Sequence, residues 1–115
     1  LYQYDATLVR VIDGDTLELV IDVGFRVAVR HVVRLAGINC AERDTDAGRA
    51  ATRAVEAWFA EEGSRVVVKT RKAEGEQEKF GRYLAEVLSR HGADLVADLI
   101  AAGHAVRWSG RGVRP

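Results

Sequence analysis

Three short segments carry residue types that could hold a cation and act on a phosphate ester. Asp13-Gly14-Asp15-Thr16 lies between two β-rich runs. Asp-Gly alone suffices for a hairpin turn, and Glu18 beyond it reads as a solvent-facing strand residue. The turn does not require the second carboxylate, Asp15, and a hard cation such as Ca²⁺ takes carboxylate oxygens of this kind. Arg34-Leu35-Ala36-Gly37-Ile38-Asn39-Cys40-Ala41-Glu42 gathers a guanidinium, a neutral oxygen donor and a carboxylate where the chain leaves a strand. Strand-end loops commonly carry binding and catalytic groups, although a charged strand residue followed by an ordinary loop gives the same pattern. Glu78-Lys79-Phe80-Gly81-Arg82 offers a second guanidinium beside a lysine and an aromatic face. That mixture suits single-stranded nucleic acid, and it also suits a solvated hairpin loop.

The elements that must position these groups follow from periodicity. Ala6 to Ile12 and Thr16 to Asp22 read as paired strands across the Asp-Gly turn. Phe25 to Ile38 reads as one long strand with a bend or bulge, because Val32-Val33 and Gly37 interrupt its alternation. The period then becomes helical. Ala51, Ala54, Val55, Trp58 and Phe59 form one apolar stripe, and Gly63 is placed to end it. Arg65 to Lys72 and Arg82 to Leu88 read as two further strands joined by a charged loop over 72–80. Leu95, Val96, Leu99 and Ile100 make a short amphipathic helix that stops at Gly103, and His104 to Trp108 a final extended piece. This order predicts a mostly β, α+β domain: a five-stranded oligonucleotide/oligosaccharide-binding (OB) Greek-key barrel, with one helix between the third and fourth strands and another near the C-terminus.

Composition bounds the alternatives. The 115 residues are enough for one domain, and with a single proline at position 115 nothing marks an internal boundary. No apolar run is long enough to span a bilayer, so no membrane partner is expected. The first residues lack the order of a signal peptide, and the compartment is left open. A lone cysteine, Cys40, excludes an internal disulfide framework and four-thiolate zinc sites. A Cys–His nucleophile pair with His31, His91 or His104 has no orienting third group or oxyanion motif to support it. Seventeen Lys+Arg balance seventeen Asp+Glu, which excludes a binder that holds nucleic acid by bulk positive charge. Local phosphate contacts remain open, and fourteen of the seventeen cationic side chains are arginines.

Together the three segments resemble the staphylococcal nuclease, or thermonuclease, family of calcium-dependent phosphodiesterases. Val11-Ile12-Asp13-Gly14-Asp15-Thr16 matches that family's first signature. Arg34-Leu35 through Glu42 aligns with Arg-Leu-(three residues)-Asp-Thr-Pro-Glu, and Lys79-Phe80-Gly81-Arg82 with Lys-Tyr-Gly-Arg. Leu95 to Val106 follows the family's last helix, so the likeness runs from about Ala6 to Arg107.

The resemblance implies a hydrolase: a Ca²⁺-dependent endonuclease acting on DNA or RNA with little sequence preference, favouring single strands, and acting as a monomer. Asp15 and Asn39 would ligate the metal through side chains, and Cys40 through its backbone carbonyl. Glu42 would orient or deprotonate the attacking water. Arg34 and Arg82 would stabilise the phosphate in its five-coordinate transition state, with Lys79 and Phe80 beside the neighbouring nucleotide. Four positions depart from the family pattern: Asn39 replaces Asp, Cys40 Thr, Ala41 Pro and Phe80 Tyr. Asn39 removes one negative charge from the metal set and predicts weaker Ca²⁺ binding. Asp44 or Asp46 could compensate, although both also suit the first turn of a helix. Asn39 keeps a second expectation open, a catalytically impaired barrel of the same kind that binds nucleic acid or protein. Trp108 could stack on a base or cover the barrel end.

Overall fold

The computed structural model describes residues 2–72 and 83–108. Lys79, Phe80 and Arg82 of the third segment lie outside the described residues, as do Arg111 and Arg114.

Alternation produces the barrel. Along β2 (Thr16–Gly24), Leu17, Leu19 and Ile21 point inward, and along β5 (Arg65–Lys72) Val66 and Val68 do so. Period-2 burial of this kind commits one face of each strand to a common core. β1 (Tyr2–Asp13) pairs antiparallel with both β2 and β5, and β3 (Val27–Leu35) pairs antiparallel with β2. β6 (Tyr83–Ser89) closes the ring, antiparallel to β5 and parallel to β3 through Val33↔Tyr83, Arg34↔Leu84 and Leu35↔Ala85. The result is a closed five-stranded barrel in the order β1-β2-β3-β6-β5, an architecture compatible with an OB-like α+β fold.

The expected long strand over 25–38 is corrected. It divides into β3 and a separate β4 (Ile38–Cys40) at Ala36-Gly37, where Gly37 has φ 77° and turns the chain out of the barrel. β4 pairs instead with β7 (Ala105–Arg107), and the Trp108 N–H donates to the Gly37 carbonyl at 2.9 Å. Asn39 and Cys40, expected just where the chain leaves the strand, are therefore buried strand residues.

Helix α1 (Asp46–Glu62) buries Ala51, Val55 and Phe59 against the barrel, and Leu95 and Leu99 of α2 (Leu95–Ala101) join the same core. Thr45 caps α1, its Oγ accepting from the Gly48 N–H at 3.0 Å, and Gly63 (φ 97°) ends it. The Trp58 indole N–H donates to Asp98 at 2.8 Å, tying α1 to α2.

Phe25 and Arg26 form the β2–β3 turn, both with positive φ (56° and 60°), and Phe25 is fully exposed. Left-handed backbone costs an L-residue about 1–2 kcal/mol, and Asn-Gly is the preferred pair at such a turn. Because Phe25 contributes no burial, Phe25→Asn with Arg26→Gly is expected to stabilise the protein by about 1 kcal/mol. A thermal melt followed by circular dichroism checks this, and an unchanged or lower midpoint would contradict it.

Candidate active site

The barrel brings the first two segments together. Register places Thr16 opposite Arg34, so the β1–β2 turn lies against the end of β3, and the Leu35 N–H donates to the Asp15 carbonyl at 2.8 Å. Gly14 permits the approach by its size: a Cβ there would meet the Ala51 Cβ at 2.8 Å and the Cys40 Sγ at 3.0 Å. The turn is wedged between α1 and β4.

Asp15 is buried at the centre of the cluster, 7% exposed. Its Oδ1 accepts from the Thr16 hydroxyl at 3.1 Å, and its Oδ2 from the Cys40 N–H at 3.3 Å and from Arg34 Nη2 at 3.4 Å. The same Nη2 donates to Asn39 Oδ1 at 3.3 Å. One guanidinium nitrogen thus locates the carboxylate oxygen of Asp15 and the amide oxygen of Asn39 around a single point. Arg34 is itself held from behind, its Cζ 5.5 Å from the Trp108 ring centroid in a cation–π contact.

The local electrostatics are unbalanced toward negative charge. Burial, and then the neighbouring Asp13 carboxylate, push the Asp15 pKa above its ordinary value, against the pull of Arg34 and the Cys40 N–H. A carboxyl that binds its proton more tightly when folded makes the protein lose stability as pH rises through its titration. Asp15→Asn is therefore expected to stabilise the metal-free protein at neutral pH, the gain shrinking toward zero in acid where Asp15 is protonated anyway. Denaturant unfolding at the two pH values checks this, and a gain that persists in acid would assign the effect to packing.

Asp15 and Asn39 present oxygen donors to this point, both engaged by Arg34. Among the described residues no three His, Cys, Asp or Glu side chains are placed to hold one metal ion, so a cation here would rely on one carboxylate, Asp15, with the amide oxygen of Asn39 and backbone carbonyls. Those are all oxygen ligands of the type Ca²⁺ accepts. Among the described residues Arg34 is the one guanidinium that meets the buried Asp15 carboxylate. The thiol of Cys40 takes no part. Burial, followed by the Asp15 and Asp13 charges, pushes its pKa up to about 12, which leaves no thiolate for a Cys–His nucleophile.

Glu42 lies two residues beyond β4 on an exposed connection. Its carbonyl accepts from the Thr45 hydroxyl at 2.7 Å and the Thr45 N–H at 3.1 Å, and it rests directly on Gly48 of α1. A Cβ at Gly48 would overlap the Glu42 carbonyl group, lying 2.6 Å from its carbon. Gly48 and the stacking of Trp108 on Arg34 lie outside the three sequence segments. A glycine inside a helix's first turn, where an alanine would serve the helix better, was the available signal for the former. Asp44 and Asp46 take structural roles around Arg49, which donates to the Asp44 carbonyl and the Asp46 carboxylate.

No protein-family model matches the chain, and no curated protein gives a significant match to it.

Proposed function

We propose that the chain is a Ca²⁺-dependent phosphodiesterase that hydrolyses DNA or RNA with low sequence specificity, built on an OB-type Greek-key barrel. The observation that carries this reading is the convergence of Arg34, Asp15 and Asn39 on one point, with Glu42 two residues beyond the strand that holds Asn39 and Cys40. A phosphodiester is anionic and resists nucleophiles, so catalysis consists mainly of charge stabilisation together with a positioned base. Arg34, with its orientation fixed by Trp108 and Asn39, donates N–H groups to the non-bridging oxygens and strengthens its hold as negative charge builds. Glu42, held at its backbone by Thr45 and Gly48, accepts a proton from the attacking water at its carboxylate. Arg82, by resemblance, supplies a second guanidinium, and Lys79 and Phe80 bind the adjoining nucleotide. Asp15, Asn39 and the Cys40 carbonyl would hold the calcium ion, which when bound would add positive charge beside the phosphate and lower the pKa of water. Cleavage of the P–O5′ bond leaves a 3′-phosphate end, and the departing 5′-oxygen takes a proton from solvent to become a 5′-hydroxyl.

Incubation of the purified protein with denatured DNA, in millimolar Ca²⁺ and in excess chelator, tests the reading. Fragmentation in Ca²⁺ alone is expected, and equal fragmentation in chelator would remove the metal from it. Asn39→Asp restores a charge and is expected to tighten Ca²⁺ binding by calorimetry, whereas unchanged affinity would remove Asn39 from the ligand set. One observation favours a second reading, a barrel of this kind that binds nucleic acid without cutting it. Arg34 pairs directly with Asp15 while Asn39 contributes no charge, so the buried carboxylate already has a cationic partner without a metal ion.

A further inference from the structure

We infer that the groove between the end of β1 and the first half of α1 holds backbone phosphates of a bound single strand on one side of the cleavage point. The inference rests on the nuclease reading for what occupies the site, and it adds where the strand runs. The groove encloses about 350 Å³ and is lined by Arg43, Arg49, Arg53, Thr52 and Asp44 together with Val11 and Ile12 of β1. Both of its walls continue into the candidate active site: Ile12 immediately precedes Asp13, and Arg43 immediately follows Glu42. A strand whose scissile phosphate meets Arg34 would therefore have its neighbouring phosphates led along this groove.

Its charge selects an anion. Arg49 is committed to the Asp44 carbonyl and the Asp46 carboxylate. Arg43 and Arg53 are exposed, and among the described residues neither has an ion-pair partner, so against the one lining carboxylate, Asp44, the groove keeps a net positive charge. Guanidinium groups grip phosphate oxygens as a bidentate fork and carry no base preference, matching a surface that positions a strand without reading it. This placement also reconciles the zero net charge with a polyanionic substrate, because only a local track is basic.

The test reads binding of a fluorescent single-stranded dodecanucleotide, and of a dinucleotide, in calcium-free buffer so that cleavage does not enter. Arg43→Ala with Arg53→Ala is compared with Arg65→Ala with Arg90→Ala, an equal charge loss in a separate groove where Arg26, Arg65 and Arg90 are interleaved with Asp5 and Asp22. The first pair is expected to weaken dodecanucleotide binding about tenfold and to flatten the plot of log K against log salt by about 1.4, at about 0.7 per lost single-strand phosphate contact. The dinucleotide and the control pair should change little. Equal losses for both pairs would reduce the effect to general charge and overturn the inference, as would wild-type affinity in the Arg43/Arg53 variant or no binding by wild type. If the wild type cleaves DNA and the Arg43/Arg53 variant binds as tightly, the groove falls and the nuclease reading stands. If Arg43/Arg53-dependent binding occurs without cleavage at any Ca²⁺ concentration, the groove stands and the nuclease reading falls.

Discussion

Gly48→Ala is expected to lower hydrolysis of single-stranded DNA by roughly a hundredfold, the scale at which a displacement near 1 Å of a catalytic group is felt. Helix propensity taken alone predicts the opposite of damage, since alanine in a helix interior is favoured over glycine by about 1 kcal/mol. The packing decides against it. A methyl group at this position overlaps the carbonyl group of Glu42, which is backbone and cannot rotate aside. Either α1 shifts and disturbs the packing of its own Val55 and Phe59 in the barrel core, or the Glu42 connection moves. The first outcome costs about 1–3 kcal/mol of stability and the second costs activity. A thermal melt and kcat/KM measured on one preparation separate them. A variant more stable than wild type and equally active would mean that Glu42 needs no support from Gly48.

Arg34→Ala is expected to reduce kcat by roughly 10²–10³-fold, the usual result of deleting a donor that faces developing charge. The side chain meets Asp15, Asn39 and Trp108, so its loss also leaves the buried Asp15 charge with less compensation. Arg34→Lys keeps the charge without the planar fork. It is expected to recover the stability more than the rate, because an ammonium cannot reach both oxygens and the phosphate while stacking on Trp108. The measurement is kcat and KM for both variants beside their unfolding midpoints. If Arg34→Lys restored full kcat, the fork geometry would be irrelevant and only the charge would matter.

The barrel strands were legible because β1, β2, β5 and β6 each face a core on one side and water on the other, which writes a period of 2 into the sequence. The division of β3 from β4 was not. Val, Ile and Leu occupy both halves, and Gly37 suits a bulge as well as a turn; what separates them is the pairing of Asn39 with Val106, a contact between distant parts of the chain. The same long-range closure explains the legibility of the site. Asp15, Arg34, Asn39 and Glu42 stood out by residue type and by the order of their segments. The meeting of Asp15, Arg34 and Asn39 depends on Thr16 lying opposite Arg34 and on β4 lying under Gly14, neither of which periodicity encodes. Trp108 was equally consistent with a base platform and a barrel cover. Its stacking on Arg34 follows from β7 pairing with β4 and from the Trp108 N–H bond to Gly37.

The central claim is that the cluster around Asp15 and Arg34, served by Glu42, breaks phosphodiester bonds. The most direct measurement compares wild type with Glu42→Gln on one preparation of denatured DNA in millimolar Ca²⁺, reading both the rate and the chemistry of the new ends. Glutamine preserves size and backbone contacts but cannot accept the water's proton, so a rate lower by roughly 10²–10⁴-fold is expected with DNA binding retained. The wild-type ends should carry 3′-phosphate. Intact DNA with the wild type, or equal rates for the two proteins, would contradict the account.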